Sequence, residues 1–190
     1  MKKITLTILL LAISALVLNA QLTYHALHTS VSIAGTSTFH DWNMTSQQAS
    51  CDVALNFDGA NITGFSSLVF TVHAASLKSH HSGMDKNAYK ALNSDKYPEI
   101  SFTSSYASIR PNGTNSYLIS AKGKLAIAGV SKDIWIVGVT TVNPADMTVQ
   151  TTGSAKLKMS EFNVEPPSFM FGAIRTGDEI TLKFNLTLKK

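Results

Sequence analysis

From Ile180 to Lys189 apolar and polar side chains alternate without a break. Ile180, Leu182, Phe184, Leu186 and Leu188 fall on one face of an extended chain, and Thr181, Lys183, Asn185, Thr187 and Lys189 on the other. Successive strand side chains point to opposite sides, so a period of two means a strand. One apolar face and one polar face mean a strand half-buried in an antiparallel sheet.

The pattern recurs along the chain. Leu68, Phe70, Val72 and Ala74 alternate with Val69, Thr71, His73 and Ala75; Ile100, Phe102 and Tyr106 alternate with Ser101, Thr103 and Ser105. Tyr117, Ile119, Ala121, Gly123, Leu125 and Ile127 make a long apolar face, and Gly153, Ala155, Leu157 and Met159 another. Ile134 to Val139 is apolar on both faces, which predicts cover on both sides. Leu22 to Thr45 predicts two strands, or one long strand bent near Gly35. Turn signals such as Asp58-Gly59, Pro111-Asn112-Gly113, Asn143-Pro144 and Gly177-Asp178 separate the runs. Strands spaced in this way predict a sandwich or a barrel. The exception is Met84 to Asn93, where Met84, Ala88, Ala91 and Leu92 have helical spacing without β-branched residues, which predicts one short helix.

The first twenty residues have a different character. Lys2 and Lys3 precede an apolar run from Ile4 to Leu18, which closes on Asn19-Ala20. The run is short for a spanning helix, which needs roughly 20 apolar residues. Residues 1–20 therefore read as a secretory signal peptide, with one domain over 21–190 working in the periplasm or as a secreted protein. Without Lys2 and Lys3 the net charge of +4 falls by two, and no basic stripe suggests a nucleic-acid partner. The lysine pairs Lys122/Lys124 and Lys156/Lys158 lie at strand spacing and read as solvated sheet faces. Cys51 is the one cysteine, so no internal disulfide forms. It alternates with Val53, Leu55 and Phe57, as a small buried core residue would. Stability must then rest on the apolar core.

Several words occur in a specific order. They are Gly35-Thr-Ser-Thr-Phe-His-Asp-Trp42, Met84-Asp85 with Tyr89 and Ala91-Leu92, and Tyr97-Pro-Glu-Ile-Ser-Phe102. Gly123-Lys-Leu-Ala-Ile-Ala-Gly129 with Lys132, Lys158-Met-Ser-Glu-Phe162 and Thr176-Gly-Asp-Glu-Ile180 follow. In these words the chain resembles the YceI-like family of secreted, lipocalin-like proteins, in its His-Asp-Trp subgroup. The resemblance implies an all-β fold, a lipocalin-like antiparallel β-barrel of about eight strands with one short helix. It implies an isoprenoid lipid or quinone in the cavity, held for transport or storage, with no enzyme activity and no cofactor. Transient contact with a membrane is compatible with that work.

Under this reading the cavity wall comes from the apolar faces: Phe102, Leu125, Ile127, Trp135, Leu157, Met159 and Phe184. Alternation alone fits a solid core equally well, and a solid barrel presenting its surface to a partner stays open as an alternative. Phe169, Met170 and Phe171 follow Pro166-Pro167 and form either a rim or a plug. His40 and Trp42 share one face of a strand and Asp41 takes the other. Their rings could meet a ligand's head group at a cavity mouth. Equally, Trp42 could pack and Asp41 satisfy backbone donors at a bend. A third reading, a small hydrolase or isomerase, would rest on His40 and Asp41. A metal site is not expected: His80 and His81 diverge on an extended chain, His25 and His28 likewise, and His73 lies on a polar face. No glycine-flanked nucleophile, phosphate loop or zinc-protease helix occurs.

Overall fold

Every alternating segment is a strand in the computed structural model, which describes residues 21–169 and 173–190. The predicted signal peptide and Phe171 lie outside the described residues, as does the side chain of Phe169. The strands are β1 (Gln21–Ser37), β2 (Trp42–Ser46), β3 (Ala49–Asp58), β4 (Asn61–His73), β5 (Glu99–Pro111) and β6 (Ser116–Ile127). They continue with β7 (Val130–Val142), β8 (Val149–Lys158), β9 (Ser168–Phe169) and β10 (Ile174–Lys189). Between β4 and β5 lies the helix α1 (Ser82–Ala91). It begins and ends two residues before the segment read from the spacing, because Asn93 takes a left-handed conformation (φ 50°) that stops the helix there.

All pairings are antiparallel, in the order β1-β3-β4-β5-β6-β7-β8-β10, and β10 returns to β1. Eight strands thus close into a barrel. Closure removes the open sheet edges that would otherwise recruit other chains. The start of the chain is two strands, as one of the two readings had it. The first half of β1 pairs β3 (Tyr24↔Val53) and its second half pairs β2 (Ile33↔Met44).

The two ends of the tube differ. At one end Tyr24, Ile62, Tyr117, Val142, Val149 and Leu188 are buried together and form a floor. The Tyr117 hydroxyl donates to Asn61 Oδ1 at 3.2 Å and accepts from the Ile62 N–H at 3.2 Å, whereas the buried Tyr24 hydroxyl of the same floor has no partner among the described residues. Asp58–Asn61 turns tightly there through Gly59 at φ 57°. At the other end stand the long connections, residues 74–98 and 159–173, and the β1–β2 turn.

Two expectations fail on the outer face, for one reason each. The alternation placed Tyr106 beside Phe102 on the core face. A β-bulge between Ser104 and Tyr106 inserts one residue and flips the register, so Tyr106 points outward. Ile134 to Val139 was expected to be covered on both sides. Ile134 and Ile136 do face inward, but Trp135, Val137 and Val139 stand exposed on the barrel's outside. No second layer covers them among the described residues; Trp135 instead meets Tyr106 edge-on, with ring centroids 6.2 Å apart.

The bulge depends on one buried hydroxyl. Ser104 Oγ donates to the Lys122 carbonyl at 2.7 Å and accepts from the Tyr106 N–H at 3.3 Å. Removing it takes away the side-chain partner of the part-buried Tyr106 N–H and Lys122 carbonyl. Ser104→Ala is expected to lower stability by about 1–3 kcal/mol in urea denaturation. An unchanged midpoint would show that the bulge holds without the hydroxyl.

Candidate functional site

Because β-strand side chains alternate, one side of all eight strands converges on the barrel axis, and here those side chains do not fill it. A deep chamber of about 140 Å³ lies inside the barrel, lined by residues such as Cys51, Phe102, Leu125, Leu157 and Phe184. A wider chamber of about 330 Å³ lies at the end opposite the floor. Ile33, Ile100, Ile127 and Ile180 line both, so the two spaces meet at a collar of four isoleucines. The tube is open at the mouth and closed at the floor.

Helix α1 roofs the mouth. Met84, Ala88, Ala91 and Leu92 present its apolar side to the wide chamber. Two polar fastenings hold it. Near its start the Asp85 carboxylate accepts the Ser79 N–H at 2.8 Å and the Ser79 hydroxyl at 2.6 Å. Near its end the Tyr89 hydroxyl accepts from Lys78 Nζ at 2.7 Å and donates to the Leu77 carbonyl at 2.7 Å. The hydrogen bonds from Ser79, with the charge of Lys78 nearby, hold the Asp85 carboxyl below its ordinary range.

The opposite rim is the β1–β2 turn. Trp42 lies against Gly35, where a Cβ would stand only 2.3 Å from the indole ring, so only glycine admits the ring. The Trp42 Nε1–H is bonded to the Thr36 carbonyl at 3.1 Å, which leaves the ring's apolar body for the chamber. His40 also lines the mouth; its Nδ1 lies 3.0 Å from the Asp41 carbonyl. Phe39 beside it is 73% exposed. Lys158 is the one charged side chain among the described residues lining the mouth. Next to it the Asp178 carboxylate accepts the Ser160 hydroxyl at 2.6 Å and the Ser160 N–H at 2.8 Å, and these bonds and Lys158 draw its pKa down. An apolar cavity with a few polar groups at its rim suits a ligand with an apolar body and one polar end.

The expected wall residues fall as follows. Phe102, Leu125, Leu157 and Phe184 line the deep chamber, Met159 the mouth, and Ile127 both. His40 and Trp42 line the mouth. Trp135 does not belong to the wall: it is 53% exposed on the outer face. It is opposite Lys122 in the β6–β7 register, and that position faces solvent on both strands. The backbone of Phe169 pairs with Ile174. The structure brings together more than was expected. Phe162 and Val164, in the turn after β8, line the mouth with the helix residues. The helical spacing that located α1 also marked its apolar face; nothing in the alternation marked Phe162 or Val164. The barrel is not solid, and the His40–Asp41 pair is not a dyad, since the imidazole meets the carbonyl of Asp41. Among the described residues no group of His, Cys, Asp and Glu side chains could hold a metal ion.

A single family accounts for this architecture. The YceI-like domain family matches residues 22–188. The chain belongs to the YceI-like family. BcnA of Burkholderia cenocepacia is 25% identical, with a TM-score of 0.66 over 84% of this chain and 95% of that one. A polyisoprenoid binding domain from Saccharophagus degradans, implicated in plant cell wall breakdown, superposes with a TM-score of 0.63 at 9% identity. That match covers 87% of this chain and 97% of the other. The YCEI protein of Campylobacter jejuni is 22% identical, with a TM-score of 0.56 over 74% of this chain and 81% of that one. No curated protein matches the sequence. The matched residues 22–188 take in nearly all of the barrel strands β1, β3 to β8 and β10.

Two measurements check this site. Cys51 is 1% exposed in the lumen wall, and burial, with Asp52 nearby, pushes its thiol up to about 12. Against an ordinary thiol near 8.5, its thiolate fraction at pH 8 falls on the order of a thousandfold. Iodoacetamide should therefore label Cys51 far more slowly in the folded protein than in urea; equal rates would mean that the wall is open there.

The second concerns α1. The folded pKa of Asp85 lies below the unfolded one, so its contribution is present above the ordinary carboxylate range, near pH 4. It is lost as pH falls through the folded value. Amide protection over residues 82–92 should drop selectively below about pH 4, and Asp85→Asn should show the loosened helix at neutral pH. Uniform protection across the acid range would show that Asp85 does not fasten the helix.

Proposed function

We propose that this protein binds an isoprenoid lipid or quinone and carries or stores it outside the cytoplasm. The tail lies in the lumen and the head group at the mouth, near His40 and Lys158. The observation that carries this reading is the dead-end apolar cavity with one polar rim. Each CH₂ withdrawn from water contributes about 0.8 kcal/mol, so a prenyl tail supplies ample affinity with no directional contact. A branched, unsaturated tail also needs no polar partner along the tube, and the lining between the isoleucine collar and the floor is nearly all aliphatic or phenyl. The polyisoprenoid binding domain of Saccharophagus degradans, which shares the fold, supports the choice of ligand class. The basic, then apolar, N-terminal segment supports export from the cytoplasm. Binding without bond making fits a site with a hydrogen-bonded tryptophan and no nucleophile–base pair among its described residues.

Organic extraction of protein purified without detergent, followed by mass spectrometry, should yield a prenyl lipid. Ala121 lines the deep chamber, and Ala121→Phe fills it with a ring. That variant is expected to lose about 1–3 kcal/mol of stability and to retain the barrel. Its extracted lipid should drop by about tenfold or more, a loss of at least roughly 1.4 kcal/mol of affinity. A ligand-free wild-type protein that takes up neither prenols nor long-chain quinones refutes the proposal.

A further inference from the structure

The hollow in the barrel has a specific cause. One row of inward positions crosses five strands in register: Ile119, Gly138, Gly153, Phe184 and Val31. Two adjacent members are glycines, and the bulky member next to them leans over both. A Cβ on Gly153 would lie 2.4 Å from Phe184 Cζ and 2.9 Å from Cε1, closer than carbon atoms approach. A Cβ on Gly138 would lie 3.5 Å from the same Cζ. The Phe184 ring therefore occupies the space of the missing side chain on β8 and reaches van der Waals contact with the place where one on β7 would begin. The same arrangement recurs across the lumen, where a Cβ on Gly123 would stand 2.6 Å from Phe102 Cζ. In both places the ring lies along the wall of the tube.

We infer that the Gly138–Gly153 shelf and the Phe184 ring laid on it determine how long a chain the cavity accepts. This rests on the proposed lipid-binding reading and deepens it by naming what sets ligand length. Along β10 the inward residues run from Ile180 at the collar through Leu182 and Phe184 to Leu186 and Leu188 at the floor. Phe184 stands midway. The four residues beyond it carry the tube about 13 Å further along the strand. With the ring on the shelf a chain can pass that level; with the ring displaced, the deep half is shut off. Phe70 and Phe65 also line this chamber, but neither has a glycine recess described beneath it.

Two substitutions move the length preference in opposite directions. Phe184→Ala removes the ring and widens the tube at mid-depth. Gly138→Val adds branches where a Cβ clears the ring and sits tightly, 3.1 Å from the Thr152 carbonyl and 3.2 Å from Thr151 Cγ2, so that the methyl groups drive Phe184 off the shelf. Gly153 is unsuitable for this test, because a Cβ there would also stand 2.4 Å from the Val137 carbonyl and distort the strands. The measurement is the affinity ratio of solanesol to farnesol, by competition with a fluorescent prenol, on purified proteins whose melting is recorded alongside. Phe184→Ala should raise the ratio by about tenfold or more and Gly138→Val should lower it by a similar factor, each tenfold being a few buried methylenes at most. If Gly138→Val does not fold, the rise in Phe184→Ala decides alone. A wild-type protein that binds prenols while its variants keep the same ratio overturns the shelf and leaves the lipid reading standing. A wild-type protein that binds neither prenol overturns both.

Discussion

The pairing of the first strand with the last converts a sheet into a container. From His25↔Lys189 to Ser37↔Thr176, β1 and β10 are joined along nearly their whole length. Without that pairing the remaining strands would form an open sheet, with one apolar face needing a second layer to cover it. With it, the apolar face covers itself, and the question becomes what fills the inside. The closure joins β1 to β10 across most of the sequence, so it carries an entropic cost of loop closure. The bulges at Ala26/His28 and Gly35/Ser37 lie on this seam and let β1 bend between two partners, β3 and β2.

A barrel of eight strands is just wide enough to be filled by its own side chains. That makes the hollow the feature needing explanation, and glycine explains it. Among the described residues aromatic rings lie over glycines in four places: Trp42 on Gly35, Phe102 on Gly123, Tyr97 on Gly129 and Phe184 on Gly153. Two of these rings line the deep chamber and one the mouth. The fourth packs beside the Ala128-Gly129 turn, where positive φ angles make the tight reversal between β6 and β7. Large residues thus bury their area against backbone, where an inward side chain would otherwise reach across the axis. The protein keeps the hydrophobic contribution of its aromatics without closing the tube.

Much of this was legible in the residues. The period of two located the strands, the turn residues separated them, and the helical spacing of Met84, Ala88, Ala91 and Leu92 located both α1 and its chamber-facing side. Six of the seven expected wall residues do line the cavity, because a wall residue must share the inward face of its strand. Trp135 fails because Ile134 to Val139 is apolar on both faces, and a segment without alternation does not say which face is which. Its strand neighbours settle the matter: Lys122 and Lys124 on β6 must face water, and Trp135 shares their side. Tyr106 fails because a bulge is one extra residue, and nothing in a run of serines and threonines announces where it falls. Hollowness itself was illegible, since it depends on whether a ring on one strand leans toward a glycine on the next. Gly138, Gly153 and Phe184 lie far apart in sequence and meet only through the register.

The asymmetry of the two ends then follows from the connections. At the floor the chain reverses within a few residues between β3 and β4, β5 and β6, and β7 and β8, and so supplies side chains only for a seal. At the mouth, two long connections and the β1–β2 turn bring in α1, Phe162, Val164 and His40, beside Lys158 at the end of β8. The strand faces offer this lumen mostly aliphatic and phenyl groups, and the two threonines among them, Thr140 and Thr151, bond each other at 3.0 Å, since an unpartnered polar group there would be costly. The polar groups left over for recognition gather at the mouth. In the proposed reading a prenyl ligand lies with its tail toward Leu188 and its polar end beside Lys158. On that reading solvation alone orients the ligand, and the connections at the mouth contact the head group.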